Sequence, residues 1–318
     1  MIMITGGTGF IGNVLIRQLT NLGYPIKLLI HPSHTSPNLP KGIPLDVTIA
    51  SLSDTKGLRA AMKGVDVTYH LASAESLGRQ AQLTAVDIRG TAALVQAASQ
   101  AKIDRFIYLS HLGADQASAY PLLKAKAIAE HSIKSANFPY TIFRSAVAYG
   151  EGDHFTNGLA FLLKVSPFFV MMPDEGSTLL QPIWVEDLVT AITWALEMPQ
   201  TVNATIEVGG PEYLSFREIC KLIIEKINLK RQFINVPPVF LNILTESLEI
   251  LTPNFPTSVF WLDYLASNRT TAMDILPRTF SLIPTRMTQR LDHLEGKNYL
   301  KNMWKLLIKR KRITTRWD

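Results

Sequence analysis

Short apolar segments alternate with longer amphipathic ones through the first half of the chain. The short segments are rich in β-branched and aromatic residues and end in glycine, proline or polar residues, which is typical of buried strands. The segments between them repeat their apolar residues at helical spacing. Six strands are predicted in this way, at residues 2–5, 26–30, 47–50, 67–72, 105–110 and 140–144. The alternation of strand and helix predicts an α/β protein with a doubly wound parallel sheet of the Rossmann type.

After residue 150 the pattern loosens into longer apolar segments that contain proline. Residues 204–210 form one further strand-like run that could join the sheet. We therefore predict three parts. They are a Rossmann domain at 1–150, a smaller substrate-side region with elements returning to the sheet at 151–296, and a C-terminal tail at 297–318.

The composition is that of a folded globular protein, with 47% hydrophobic and 18% charged residues among 318. The single cysteine, Cys220, excludes an internal disulfide and is interpreted as a buried structural thiol in a reducing compartment. The first residues carry no secretory signal, and Lys164 and Pro167 interrupt the most apolar run before it could span a membrane. We expect a cytoplasmic protein.

The formal charge of +6 is concentrated at the C-terminus. Residues 297–318 contain eight lysines and arginines and one aspartate, so the rest of the chain is close to neutral. No groove-reading or base-stacking motif accompanies this charge, and we therefore expect no nucleic-acid partner.

The tail has the pattern of a basic amphipathic helix. Its lysines recur at every fourth position from Lys297, beside an apolar stripe that includes Trp304. One interpretation is docking on an anionic membrane surface or on a membrane complex, which would make the protein peripheral to the membrane. The other is a solvated helix whose apolar stripe packs on the body of the protein.

The most specific motif is TGGTGFIG, Thr5–Gly12, which directly follows the first strand and opens a helix. This context is the one that a dinucleotide-binding turn requires, because the glycines allow backbone amides to approach a pyrophosphate at the helix N-terminus. The candidate cofactor-binding residues here are Gly6, Thr8, Gly9, Phe10, Ile11 and Gly12.

The residues after the second strand bear on the choice of nucleotide. NAD-binding folds usually place an acid there to hold the ribose hydroxyls. No Asp or Glu lies between Gly12 and Asp46, and His31 and His34 follow the strand instead. The missing acid favours NADP(H) over NAD(H), with His31 as the candidate contact.

Several segments together resemble one family. They are TGGTGFIG, GVDVTYHLAS (64–73), GTAALVQAA (90–98), YPLLK (120–124) and TIFRSAVAYGEGD (141–153). The chain is similar in them to the extended and atypical short-chain dehydrogenase/reductase superfamily. Within it, SHLGAD followed by YxxxK resembles the group of the NADPH-binding accessory subunit of respiratory complex I and its bacterial relatives. The likeness spans about residues 1–215 and implies further cofactor contacts at Leu71, Ala72, Ser73, Ser110, Tyr120, Lys124, Ser145 and Val147.

The resemblance also implies catalytic residues. In such enzymes a tyrosine exchanges a proton with the substrate oxygen, and a lysine four positions later lowers its pKa and holds the nicotinamide ribose; Tyr120 and Lys124 match this spacing. The position of the usual serine or threonine at the end of the fifth strand falls on Leu112, so Ser110 or His111 could substitute only if the end of the strand is oriented differently. The histidines are not clustered, and no metal site is expected.

Two functions therefore remain open. The first is an NAD(P)-dependent oxidoreductase or epimerase, with an incomplete catalytic set, acting on a small hydroxyl or carbonyl substrate. The second is a non-catalytic NADPH-binding accessory or assembly factor of a respiratory membrane complex. Tyr120 and Lys124 favour the first, whereas Leu112 and the basic tail favour the second. A redox-sensing regulator is a weaker third option, for which the sequence offers no partner-binding motif.

Overall fold

The computed structural model describes residues 1–32, 39–40, 42–166, 168–251 and 259–297. The β-strands in these residues are β1 Ile2–Thr5, β2 Ile26–Ile30, β3 Asp46–Ile49, β4 Val67–His70, β5 Arg105–His111, β6 Tyr140–Ser145, β7 Ala148–Tyr149, β8 Phe169–Met172, β9 Leu179–Leu180, β10 Ile183–Trp184, β11 Ala204–Val208, β12 Leu214–Ser215 and β13 Gln232–Asn235. The α-helices are α1 Phe10–Asn21, α2 Thr55–Ala61, α3 Thr91–Ala101, α4 Pro121–Lys134, α5 Phe155–Val165, α6 Val185–Trp194, α7 Phe216–Lys226, α8 Pro238–Leu251, α9 Val259–Leu265 and α10 Ile275–Phe280.

The main sheet has seven parallel strands in the order β11-β6-β5-β4-β1-β2-β3. All six predicted strands belong to it, and so does the further run, as β11. The predicted Rossmann fold is therefore confirmed. The strand order reverses between β1 and β4, and in open parallel sheets the ligand crevice lies outside the carboxyl ends of the strands at such a point.

Two helical layers cover the sheet. One layer consists of α1 and α6, whose residues share a core with β1 and β2, among them Leu15 and Leu188. The other consists of α2, α3 and α4, which bury residues such as Leu94 and Ile133 against the opposite face. Since both faces are covered, the central strands β1, β2 and β4 are buried almost throughout, as is usual in parallel sheets.

Residues after 150 contribute to both the sheet and a second core. The elements α6 and β11 return to the main sheet, whereas α5, α7 and α9 enclose a separate apolar cluster. Cys220 is 1% exposed in that cluster, so the expected structural thiol is confirmed. Burial raises the pKa of this thiol, which keeps it in the unreactive protonated form.

The predicted tail lies almost wholly outside the described residues. Only Lys297 is described, and its Nζ donates to Asn157 Oδ1 at 3.0 Å. Within the described part of the chain, no helix is both long and apolar enough to cross a membrane.

A buried carboxylate fastens α4 to the sheet. Glu130 on α4 is 2% exposed and accepts a bifurcated hydrogen bond from Arg144 Nε, at 3.0 Å to Oε1 and 3.2 Å to Oε2, and another from Nη2 at 2.8 Å. Ser110 Oγ also donates to Glu130 Oε1, at 2.6 Å. Since Ser110 lies on β5 and Arg144 on β6, this network holds α4 against two neighbouring strands.

We expect Glu130→Gln to lower the free energy of unfolding by about 3 kcal/mol, because it removes the buried carboxylate from the Arg144 guanidinium and leaves that group the more exposed Glu207, at 3.6 Å. That figure is at the low end for a broken buried ion pair, since the Arg144 side chain is 24% exposed. Denaturant titration measures the loss. Glu225→Gln, at an exposed position on α7, is the matched control and should stay within experimental error of wild type; equal stability of the two variants would contradict the assignment.

Candidate functional site

The turn after β1 lies against the loop after β4. Gly6 has φ +75°, and a Cβ there would lie 2.6 Å from the Ala72 nitrogen. A Cβ on Gly12 would lie 2.3 Å from the Gly6 carbonyl oxygen. Both positions therefore require glycine, one for its backbone conformation and its close neighbour, the other for the approach of α1 to the turn.

The N-terminus of α1 opens at this turn. Gly9 is the N-cap residue, no side chain caps the helix, and no acidic residue lies in its first turn. The first amides of a helix have no intrahelical acceptor, so those at Phe10, Ile11 and Gly12 are available to an anion. Thr8 and Gly9 are exposed beside them. A dinucleotide pyrophosphate fits this arrangement.

The other predicted cofactor residues lie along the same edge of the sheet. Leu71, Ala72 and Ser73 follow β4 and are half-buried, and the Leu71 amide donates to the Thr5 carbonyl at 3.1 Å. Ser145 ends β6, where its Oγ donates to the Ala146 carbonyl at 2.7 Å.

Val147 and His31 lie at the two sides of this edge. Val147 is 6% exposed just after β6. His31 follows β2 and is exposed, with its Nδ1 2.7 Å from the Pro32 carbonyl oxygen. His34 lies outside the described residues.

His70 ends β4 beneath the site. It is fully buried, with Nδ1 2.6 Å from Thr5 Oγ1 and Nε2 2.8 Å from Thr91 Oγ1. Burial, together with the charge of Lys126, lowers the pKa of His70 to about 3. The ring is therefore neutral and links β1 to α3, which is a structural role.

The Lys124 backbone amide donates to the Tyr120 carbonyl at 3.0 Å, but no hydrogen bond joins the two side chains in the described part of the chain. Tyr120 is the N-cap residue of α4 and is half-buried; its backbone amide donates to Ser118 Oγ at 3.1 Å. Lys124 is exposed to solvent on the helix. The spacing predicted a shared face directed at the site, but the structure turns the Lys124 side chain away from the buried face of α4.

The lysine that faces inward is Lys126. It is 3% exposed, its Nζ lies 3.3 Å from Asp87 Oδ1, and it lies over the ring of Tyr108 at 5.5 Å from the centroid. Burial alone would lower the pKa of Lys126, but Tyr108, Asp87 and Glu75 raise it above its ordinary value. The site therefore contains a charged lysine that the YxxxK match did not identify.

One helical turn before Lys126 stands Leu122, which is 6% exposed. A phenol at that position would share the inward face with the lysine, whereas leucine can neither donate nor accept a proton. The helical pattern contained the signal, since Leu122, Lys126, Ala129 and Ile133 fall on one stripe and Lys124 does not.

The Ser110 hydroxyl is engaged away from the crevice. It is 1% exposed and donates to Glu130, as described above. Leu112, at the position expected for the polarising hydroxyl, is buried. No hydroxyl from the end of β5 is therefore directed at a substrate oxygen.

A side-chain contact that sequence reasoning missed joins the end of β5 to the segment after β4. His111 Nε2 lies 2.8 Å from Glu75 Oε2. Burial would raise the pKa of Glu75, but the contact with His111 and the charge of Lys126 lower it to about 2. The described residues contain no group of three or more His, Cys, Asp and Glu side chains that could hold a metal ion.

The sequence model of the NmrA-like family matches residues 1–261. The mitochondrial NADH dehydrogenase [ubiquinone] 1 alpha subcomplex subunit 9 of Arabidopsis thaliana is 28% identical over 244 residues, covering 74% of this chain and 60% of that protein. The photosystem II assembly factor Ycf39 of Trieres chinensis is 24% identical over 242 residues, covering 76% of this chain and 73% of that protein. The chain thus spans less than two thirds of the length of the Arabidopsis protein.

Solved structures share the fold. A short-chain dehydrogenase/reductase superfamily protein from Agrobacterium tumefaciens with bound NAD has a TM-score of 0.68 at 16% identity, over 98% of this chain and all of that one. A UDP-glucose 4-epimerase from Thermotoga maritima has a TM-score of 0.71 at 18% identity, over 95% of this chain and 99% of that one. The resemblance inferred from the motifs is confirmed by the family match, and the fold by these structures.

We expect His70→Gln to make the free energy of unfolding depend less on pH in the acidic range. An unfolded histidine takes up a proton below about pH 6.5, whereas the folded one does so only near 3, so wild-type stability falls with pH between these values. From pH 5.5 to 4.5 wild type should lose about 1.4 kcal/mol more than His70→Gln.

Chemical denaturation at each pH measures this difference. The exposed His131→Gln on the same helix as Lys126 is the control and should follow the wild-type profile. Parallel profiles for wild type and His70→Gln would contradict the neutral, buried state of His70.

Proposed function

The chain belongs to the NmrA-like family, and from that premise we propose that it binds a nicotinamide dinucleotide across the carboxyl edge of its sheet. The support is the fit of the site. The uncapped N-terminus of α1 suits the pyrophosphate, and the glycines of the turn before it carry no side chain that would keep the pyrophosphate from the backbone amides.

We assign the two halves of the dinucleotide by the strand order. The adenosine half would lie over β2, beside His31, and the nicotinamide half over β4 to β6, beside Leu71–Ser73, Ser145 and Val147. Lys126 would hold the nicotinamide ribose. A bound nicotinamide supplies hydride-transfer chemistry; the chain's own residues position it and exclude water.

NADP(H) is proposed in preference to NAD(H). The support is the exposed His31 after β2 and the absence of any acid in the sequence between Gly12 and Asp46. An acid there would repel a 2′-phosphate and bind ribose hydroxyls.

We propose that the protein is a nucleotide-binding accessory or assembly factor rather than a dehydrogenase. The observation that carries this is Leu122, one turn before the buried Lys126, where proton transfer would need a phenol. The Ser110 hydroxyl is occupied by Glu130, so a second polarising group is also missing. The site is built to hold a cofactor without the acid/base pair that would use it.

An NAD(P)-dependent oxidoreductase or epimerase acting on a small hydroxyl or carbonyl compound is the second candidate. One observation favours it: Tyr120 is half-buried and close enough to Arg269 to interact with it electrostatically. In that case Tyr120 would be the proton donor, and Tyr120→Phe would abolish turnover.

For the partner, we propose an anionic membrane surface of the kind that surrounds a membrane complex. The relatives named above include a subunit of NADH dehydrogenase and a photosystem II assembly factor. Helix α8 exposes four apolar side chains on adjoining positions: Val239, Phe240, Ile243 and Leu244, between 41% and 66% exposed. An apolar helical face together with a basic tail suits an interface that is both apolar and negatively charged.

Replacing Lys126 with Met is expected to weaken NADPH binding at least tenfold, because a charge-assisted hydrogen bond is worth about 1.5 to 3 kcal/mol. Lys124→Met, two positions away and exposed, is the matched control and should bind as wild type does. Fluorescence titration of NADPH measures both.

Lys126→Met leaves Asp87 buried and unpaired, which could destabilise the fold. The double variant Asp87→Asn/Lys126→Met removes both charges, so a loss of affinity in it cannot be attributed to the unpaired carboxylate. If Lys124→Met lost affinity and the Lys126 variants kept it, the assignment of the ribose-holding lysine would be wrong.

Vesicle flotation tests the membrane partner. Wild type should float with vesicles containing phosphatidylglycerol and less so as salt increases, because the tail contribution is screened. Phe240→Glu/Ile243→Glu should abolish flotation, whereas Ile283→Glu, at an isolated apolar residue that is 86% exposed, should not. Equal flotation of all three proteins would exclude α8 from the contact.

A further inference from the structure

Arg269 is a buried arginine that no other part of the site accounts for. It lies between α9 and α10 and is 6% exposed. Its backbone amide donates to the Leu179 carbonyl at 2.8 Å, which fixes this segment beside β9. Backbone pairing therefore sets the position of Arg269, and its guanidinium group lies in the protein interior.

The guanidinium lacks a carboxylate partner in the described residues. Nε and Nη2 are buried without a hydrogen-bond acceptor there. The neighbours that act on its charge are the phenols of Tyr264 and Tyr120. Arg144 shows the contrast, since its guanidinium is matched by Glu130. A guanidinium keeps its proton at any physiological pH, so a buried and unmatched one is unfavourable unless a ligand supplies the negative charge.

The neighbouring residues place the Arg269 guanidinium group at the candidate site. Its Cζ lies 5.5 Å from the centroid of the Tyr264 ring. Its Nη1 lies where the Cβ of any larger residue at Gly113 would be, at 2.2 Å from the ideal position, and Gly113 has φ +81°. Gly113 comes two residues after the end of β5, so Arg269 covers the carboxyl end of that strand.

A second unmatched nitrogen lies nearby. His111, whose Nε2 pairs with Glu75, leaves Nδ1 buried without a partner in the described residues. Its ring packs edge-on against Tyr264 at 6.4 Å, so His111 and Arg269 contact the same aromatic ring. The end of β5 therefore gathers nitrogen groups whose hydrogen-bonding capacity is unused.

We propose that Arg269 forms an oxyanion-binding subsite beside the nicotinamide half of the dinucleotide site, so that the second ligand of this protein carries a carboxylate or phosphate group. The inference rests on the proposed function for its location. It adds the chemical class of the second ligand, whether that ligand is a substrate or a regulator. The planar guanidinium binds two oxygens of either anion at once.

This subsite is a feature of the C-terminal part of the chain. The family match ends at residue 261, and both Tyr264 and Arg269 lie beyond it. Ligand choice is thus assigned to the segment that covers the sheet edge, whereas cofactor binding is assigned to the sheet itself.

The test is thermal unfolding of the NADPH-loaded protein during titration with malonate and, separately, with inorganic phosphate, at an ionic strength held constant with sodium chloride. Wild type should show a saturable rise in Tm with at least one anion. The malonate and phosphate arms identify which oxyanion the subsite takes. In Arg269→Gln the concentration for half the effect should increase at least tenfold, and Arg278→Gln, at an exposed arginine on α10, should behave as wild type.

A structural role for Arg269 predicts a different result. Loss of a structural arginine would lower Tm in every buffer, whereas removal of an unmatched buried charge should leave the Tm of the anion-free protein unchanged or higher. If Arg269→Gln does not fold, Arg269→Lys should still weaken the anion response, because it keeps the positive charge but loses the planar pair of N–H donors. Equal responses in wild type and the folded variant, or no saturable response in wild type, would overturn the proposal.

The failure of the proposed function is recognised separately. NADPH titration of the same proteins, and the anion titration repeated without NADPH, give independent readings. NADPH bound with no Arg269-dependent anion response refutes the subsite alone. An Arg269-dependent response in a protein that does not bind NADPH refutes the dinucleotide function and retains the subsite.

Discussion

The buried ion pair of Lys126 and Asp87 is the constraint on which the site depends. Two charges that are almost fully removed from water are tolerated only as a pair, so neither side chain can turn outward without the other. Asp87 Oδ2 also accepts the Ala74 amide at 3.0 Å, which ties the loop after β4 to the same pair. The rotation of α4, the position of the π-helical turn Thr84–Gly90 and the course of the loop at the sheet edge are thereby fixed together.

That rotation decides which groups the site can use. With Lys126 inside, Lys124 faces solvent and Leu122 occupies the inward position one turn earlier. Most other polar side chains near the edge already have partners: Ser110 donates to Glu130, and His70 is held by Thr5 and Thr91. The groups proposed to meet ligands are the backbone amides around α1, the ammonium group of Lys126 and the guanidinium group of Arg269. Such a site is suited to binding anionic groups and poorly suited to moving protons.

The sequence predicted the parts of the molecule that local chemistry determines. The strands follow from apolar runs bounded by turn residues, and the glycines of Thr5–Gly12 follow from contacts that admit no Cβ. The choice between Lys124 and Lys126 depends on which helical face packs on the sheet, and a short spacing motif does not contain that information. Arg269 reaches the site from a segment far along the chain, so no local pattern indicated it. The NADP preference and the membrane role of the tail remain predictions.

The most direct measurement of the central claim is a crystal structure of the protein grown with NADPH. The account predicts the pyrophosphate at the amides of Phe10–Gly12 and the nicotinamide ribose within hydrogen-bond distance of Lys126 Nζ, with no phenol beside that lysine. A complex in which Tyr120 and Lys124 turn inward to contact the nicotinamide ribose, or in which NADPH lies away from the edge between β1 and β4, would contradict it.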